Sequence, residues 1–373
     1  MKLKRISSMI ILLIFLSTSI NISSIHADTT KIFDIKKVYN TPSLYNTQNE
    51  MLKTLNQQYK DFTEIKVIGK TVQGRDIVAF KVGKGKKSVF INGSHHAREN
   101  MTTMLILNQI ENLCISYVDG AKYNGKTYKE ILDSMAIWFV PNVNPDGVEL
   151  ARSYNIKNTE IKDYPVFARS FSAKKSLKAN ARNVDLNRNY DTNWDNIFDR
   201  EKYYPGPKPF SEPETQAIKK FCEETKFDGT IAYHATGQII FWHYDQEAKE
   251  EARDEQIAKD LKKITGYLLV PKWHTLTSKG LEPNAGKYSG GGYKDWFVQE
   301  FKKPGFTLEV GRTACPLRLD EYSKIWKDNK NVPIYFADKA DKLFGSVKPT
   351  TEQKQSIRKM YSFYCFLVDM IYN

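Results

Sequence analysis

A single α/β domain, built on a mixed, mostly parallel central sheet flanked by helices, is the fold this sequence predicts. Strand-like and helix-like runs alternate along the chain. The strand-like runs are apolar enough to lie largely buried between helices. No internal repeat or low-complexity linker interrupts the 373 residues, a length that supports a sizeable core.

The start of the chain reads differently. Lys2, Lys4 and Arg5 precede the apolar run 9–16, and small and polar residues then lead to Ala27. This is the layout of a signal peptide over residues 1–27, cleaved after Ala27. The competing reading is a membrane anchor, for which the run is short. Residues 28–44 read as a polar lead-in, and residues 45–373 as the folded domain.

Within that domain, residues 45–59 predict a helix, with Met51, Leu52 and Leu55 at helical spacing. Residues 65–68, 76–82 and 88–92 predict strands. Residues 101–117 carry a strong helical pattern, and residues 136–143 form an apolar strand. Residues 150–210 are polar and aromatic with little periodicity, and so long a loop in a compact domain is usually functional. The sequence Ser211-Glu212-Pro213-Glu214 reads as a cap, a proline and acids in a first turn, so residues 211–224 predict a helix. Strands follow at 230–233 and 238–242, a charged helix at 247–264, a short helix at 293–301 and a strand at 305–310. Residues 351–371 close the chain as a helix.

Composition excludes several classes. Hydrophobic residues make up 41% and charged residues 27%, as in ordinary globular proteins and unlike disordered chains, collagens or coiled coils. The formal charge of +13 falls by three to +10 once residues 1–27 are removed. A basic exported protein is drawn to an anionic surface such as a bacterial cell wall. A general lysine excess that aids solubility is the blander reading. The lysines are scattered, with only short runs such as 84–87, and no groove-reading motif points to nucleic acid. Cys114, Cys222, Cys315 and Cys365 form no Cys-x-x-Cys pair and are expected to be mostly buried thiols. A Gly-x-Ser-x-Gly elbow is missing, which argues against a serine hydrolase.

The chemistry is concentrated after the strand at 88–92. Gly93-Ser94 is followed by His95-His96-Ala97-Arg98-Glu99. Residues that follow a strand sit at the carboxyl edge of an open α/β sheet, where ligands bind. His96 and Glu99 are three apart and can turn toward one point, and an imidazole with a carboxylate suits zinc. A catalytic zinc needs a third protein ligand beside its water. His234, which ends the strand at 230–233, is the best candidate, and His95 is the nearest rival. His243 and His274 read as structural or surface residues. Farther along, Asp185-Leu186-Asn187-Arg188-Asn189 lies in the irregular region, and the strand ending at Glu309 places an acid near its carboxyl end.

Six ordered motifs over residues 45–335 give the chain a family resemblance. They are His-x-x-Glu, Asn144-Pro145-Asp146-Gly147, Asp-x-Asn-Arg-Asn, one His on a strand, Gly-Gly followed by Asp295-Trp296, and a final Thr-x-Glu. The chain resembles the zinc carboxypeptidase family, and within it the bacterial γ-D-glutamyl-diaminopimelate peptidases. The closer likeness rests on 179–189, 209–215, 233–240 and 291–296. The resemblance implies one Zn2+ held by His96, Glu99 and His234, with Glu309 as general base. It implies that Arg188 binds a substrate carboxylate with Asn187 beside it, that Asp185 orients His96, and that Arg98 lines the cleft. For the oxyanion partner, Lys178 and Arg182 both lie upstream, and Arg182 is the expected one because a guanidinium is always charged. The family's mobile tyrosine falls on Lys287, a departure that leaves Tyr288 and Tyr293 as candidates. Lys294 falls at the floor of the specificity pocket. The implied substrate is a peptidoglycan stem peptide, or an ordinary peptide trimmed at its C-terminus by an exported carboxypeptidase. The protein is expected to be a monomer, secreted or associated with the cell wall, with no membrane insertion once its signal is removed.

Overall fold

Apolar, β-branched runs assemble the sheet. The computed structural model describes residues 31–153, 177–197, 200–201, 203–272, 274–277, 280–283 and 290–343. The expected signal peptide, the helix at 351–371, Tyr288 and Cys365 lie outside these residues. The strands are β1 (Thr63–Lys70), β2 (Asp76–Val82), β3 (Lys87–Gly93), β4 (Lys122–Tyr123), β5 (Lys126–Thr127), β6 (Met135–Val140), β7 (Thr230–His234), β8 (Ile239–Phe241), β9 (Leu268–Leu269), β10 (His274–Thr277), β11 (Gly280–Pro283) and β12 (Gly305–Glu309). Eight of them form one sheet in the order β1-β2-β6-β3-β7-β12-β8-β9, and β4-β5 and β10-β11 are separate two-stranded sheets. The four central strands β6, β3, β7 and β12 run parallel, with antiparallel partners toward both sides. This is the mixed sheet the sequence predicts.

Helices cover both faces. They are α1 (Ile35–Asn40), α2 (Leu44–Gln58), α3 (Met101–Val118), α4 (Tyr128–Ser134), α5 (Pro145–Arg152), α6 (Pro213–Thr225), α7 (Ala248–Thr265), α8 (Tyr293–Phe301), α9 (Tyr322–Asn329) and α10 (Val332–Leu343). On one face Val89, Ile91, Ile231, Tyr233, Phe306 and Leu308 pack with apolar residues of α2, α3, α7, α9 and α10. On the other, Phe90, Trp138, Val140 and Ala232 pack with Ile218 and Phe221 of α6 and Trp296 and Phe297 of α8. Side chains alternate along a strand. With Tyr233 and Leu308 on the first face, His234 and Glu309 turn to the second.

Several boundaries differ from expectation for local reasons. The strand expected at 136–143 ends at Val140, because Pro141 follows and cannot donate to a ladder. The Asn144-Pro145-Asp146-Gly147 motif is a helix start: Asn144 caps α5 by accepting from Gly147 N, and Pro145 occupies the first turn. The cap residue of α6 is Glu212, not Ser211, and its side chain makes no cap bond. The lead-in is partly folded: α1 lies within it, Phe33 and Val38 are buried, and Glu111 Oε1 accepts from the backbone of Ile32 (2.6 Å) and Phe33 (2.8 Å).

One buried acid gives a stability prediction. Glu214 on α6 is fully buried, and burial pushes its carboxyl up from 4.5 to about 7, against hydrogen bonds from Val72 N and Asn180 Nδ2. The fold therefore favours the neutral acid. Its contribution is complete below about pH 4.5 and is lost as pH rises through 7. The difference corresponds to about 3 kcal/mol. Denaturant titrations at several pH values should show that decline in the parent protein and a flatter profile in Glu214→Gln.

Candidate active site

Three parallel strands bring the site residues to one edge. β3 ends at Gly93, pairs with β7 at Tyr233, and releases the chain into residues 94–100 before α3. In that turn Glu99 N donates to His96 O (3.1 Å), so the two side chains converge. His96 Nδ1 lies 2.7 Å from Glu99 Oε1, and His234 Nδ1 lies 3.0 Å from Glu99 Oε2 and 3.2 Å from His96 Nδ1. One ligand atom from each residue falls within 4.8 Å of the others, and all three residues are buried. The donor set fits zinc: two imidazoles present the same nitrogen, and the carboxylate sits between them. Burial opposes ionisation of Glu99, but His96 and His234 hold its carboxyl well below the ordinary range. His96 Nε2 lies 3.2 Å from Asp185 Oδ1, the arrangement expected of a group that orients a ligand histidine. Despite burial, His96 holds the Asp185 carboxyl well below its usual value.

His95 does not join the trio. Its Nε2 pairs with Tyr190 Oη at 3.0 Å, and its ring stacks on that of His234 at 5.7 Å. It serves as packing behind a ligand, and burial keeps it neutral by pushing its pKa well down. His243 is not part of the trio, and its Nε2 lies 3.7 Å from Glu251 Oε2.

Glu309 ends β12 directly beside His234, its register partner on β7. Burial, and then the negative charge of Glu99, push its carboxyl up to about 8, against the positive charges of Lys178, His96 and Arg98. Lys178 reaches this position because its segment is tied to the ligand turn: Ala97 N donates to Lys178 O and Arg98 N to Leu177 O, both at 3.0 Å. Arg98 is half-buried near Glu309, and its carbonyl accepts from Cys315 Sγ at 3.2 Å. Cys114, Cys222 and Cys315 carry free thiols, the first two buried.

The structure corrects two of the expected assignments. Arg182 is not beside the ligands. The tight turn closed by Asn180 N to Val184 O carries it outward, its side chain is 56% exposed, and its nearest acid is Glu212 at 3.8 Å. Of the two expected candidates, Lys178 is the one whose charge reaches Glu309, His96 and His234. Tyr293 is a core residue: it is fully buried, and its hydroxyl meets Thr230 Oγ1 at 2.8 Å. Tyr288 lies outside the described residues.

Asp185, Asn187, Arg188 and Asn189 lie on one turn. Asp185 Oδ1 accepts from Asn187 N, and Asn187 Oδ1 accepts from Tyr293 N at 2.9 Å, which fixes the plane of the Asn187 amide. Arg188 is half-buried, with Nη1 donating to Asn187 O. Gly291 packs on the Arg188 carbonyl so closely that a Cβ would lie 2.1 Å from that oxygen, and its φ of +65° also requires glycine. Asn189 holds the following loop by donating to Pro205 O, Lys208 O and Ser211 Oγ while accepting from Thr215 Oγ1. Lys294 is 8% exposed, pairs with Asp295, and donates to His243 O at 2.9 Å. Sequence reasoning missed Tyr203, whose ring is approached by both Lys178 and Arg188; a lone tyrosine in an aperiodic stretch carries no motif that would mark it.

A zinc carboxypeptidase profile matches residues 48–332. The chain belongs to the zinc carboxypeptidase family. As such it is a zinc metallopeptidase, and His96, Glu99 and His234 supply a site for the family's Zn2+. This zinc carboxypeptidase is 27% identical to the γ-D-glutamyl-L-diamino acid endopeptidase 1 of Lysinibacillus sphaericus over 76% of its own length and 69% of that protein. It is 24% identical to carboxypeptidase B of Astacus astacus over 78% and 90% of the two chains. The carboxypeptidase A structure from Helicoverpa armigera shares the fold, with a TM-score of 0.53 and 17% identity over 79% of this chain and 73% of that one. Among the described residues no helix is long and apolar enough to cross a membrane.

Proposed function

We propose that this zinc carboxypeptidase is exported and hydrolyses the γ-D-glutamyl-diaminopimelate bond of peptidoglycan stem peptides. The observation that carries the substrate is Lys294. Gly305, Thr307 and Glu309 share one face of β12, and a Cβ on Gly305 would lie 3.4 Å from Lys294 Cγ. Thr307 and Glu309 remain partly open on an interior strand of the sheet. Lys294 thus stands on the face used by Glu309, roughly 13 Å along the strand. A cation on that face suits a substrate side chain that ends in a carboxylate, as diaminopimelate does. The name of the Lysinibacillus relative and the basic, apolar start of the chain support the same reading.

The chemistry follows from the placement of the side chains. Zinc, when bound, polarises the scissile carbonyl and acidifies water. Glu309 takes the proton of the attacking water and passes it to the leaving amine. Lys178 faces the oxygen that gains negative charge. Arg188 receives a substrate carboxylate through its fork, with the Asn187 amide beside it and Arg98 lining the wall. Asp185 fixes the tautomer of His96.

The second reading, a general exported carboxypeptidase, is favoured by the likeness to carboxypeptidase B. One experiment separates them. Defined muropeptides ending in diaminopimelate or in lysine, and a plain peptide, are incubated with and without a chelator and the products weighed by mass spectrometry. Chelator-sensitive cleavage before diaminopimelate is expected, with Lys294→Ala losing more rate there than before lysine. Equal losses on the two muropeptides would remove the role of Lys294, and release of C-terminal residues from the plain peptide alone would favour the second reading.

A further inference from the structure

We propose that Tyr203 is a positioning residue that holds Lys178 and Arg188, two of the cations read above as facing the substrate, against a single aromatic ring. Lys178 Nζ lies 5.9 Å from the ring centroid and Arg188 Cζ lies 5.4 Å from it. Both distances fall where a cation is attracted to a ring face. The inference rests on the reading of Lys178 and Arg188 given above.

The choice of an aromatic partner has a chemical consequence. A carboxylate would also gather two cations, but it would neutralise them and compete with the anionic oxygens they are meant to receive. The acid whose charge both cations feel, Asp185, is held by His96 and by Asn187 N. A ring attracts cations while leaving their charge and N–H donors available. It also limits the rotamers of two long side chains that otherwise carry high conformational entropy. The ring itself is carried on a tethered segment. Tyr204 O accepts from Asp185 N at 2.8 Å, and Pro205 O accepts from Asn189 Nδ2 at 2.7 Å. The backbone that carries Tyr203 is therefore bound to both ends of the turn that carries Arg188, while Lys178 arrives from the segment tied to the ligand turn. Tyr203 is itself half-buried.

The test uses the full zinc-loaded chain and the tripeptide L-alanyl-γ-D-glutamyl-diaminopimelate, or the plain peptide if that is what the enzyme cleaves. Tyr203→Leu is expected to raise KM about tenfold through Arg188 and to lower kcat about tenfold through Lys178, with zinc content unchanged. Tyr203→Phe keeps the ring and should restore both to within about threefold. In a Lys178→Ala background, Tyr203→Leu should lower kcat no further. Should the leucine variant fail to fold, phenylalanines of increasing fluorination at position 203 keep the shape while weakening the ring's attraction, and KM should climb stepwise along that series. A flat series, or a kcat loss from Tyr203→Leu that persists in full without Lys178, overturns the inference. If Lys178→Ala and Arg188→Ala both behave as the parent, the underlying reading of the cations fails instead, and the inference with it.

Discussion

Glu309→Gln is expected to lower kcat by roughly 10²- to 10⁴-fold while leaving zinc content and KM close to those of the parent. The side chain ends β12 beside His234, so an amide of the same shape occupies the same place without disturbing the ligands. What it loses is basicity. Burial and the charge of Glu99 raise the Glu309 carboxyl to about 8, while Lys178, His96 and Arg98 work in the opposite direction. A bound zinc ion would add to those opposing positive charges and favour the carboxylate, the form that accepts the proton of water and then releases it to the leaving amine. Metal analysis alongside steady-state kinetics checks the prediction. A glutamine variant that binds zinc and still turns over at the parent rate would place the base elsewhere.

Lys178→Ala is expected to reduce kcat by roughly 10²- to 10³-fold, the usual effect of removing one donor to a developing oxyanion. Lys178→Arg should recover much of that loss, because the charge is kept. Arg182→Ala should change kcat little, since its side chain points to solvent near Glu212. The paired measurement matters because the two residues are only four positions apart and both are basic. If Arg182→Ala proves the more damaging variant, the loop closes over the site in a way that the tight turn at Asn180–Val184 does not suggest.

The metal trio and Glu309 could be read from the sequence because each follows an apolar strand, and the ends of parallel strands converge on one edge of a sheet. The orientation of residues in the aperiodic loop could not. Lys178 and Arg182 are equivalent by composition and spacing, and they are told apart by the backbone bonds from residues 97 and 98 to 177 and 178, which no local pattern encodes. Tyr293 misled for a different reason. It follows the double glycine that approaches the Arg188 carbonyl, yet the first turn of α8 directs it inward to Thr230. The small helices α1 and α5 were hidden behind a lead-in and a turn motif, and both depend on tertiary support, through Glu111 in the first case and the burial of Val148 and Leu150 in the second.

Glu309 and His234 lie opposite one another on neighbouring parallel strands, each one residue beyond a fully buried apolar side chain. Sliding either strand by a single position would send its functional group into the opposite hydrophobic layer and bring Leu308 or Tyr233 to the edge in its place. Peptide hydrolysis is thus a gauge of strand alignment. During refolding, the return of turnover should report the moment this pairing locks into place, later than any signal that registers helix content or collapse alone.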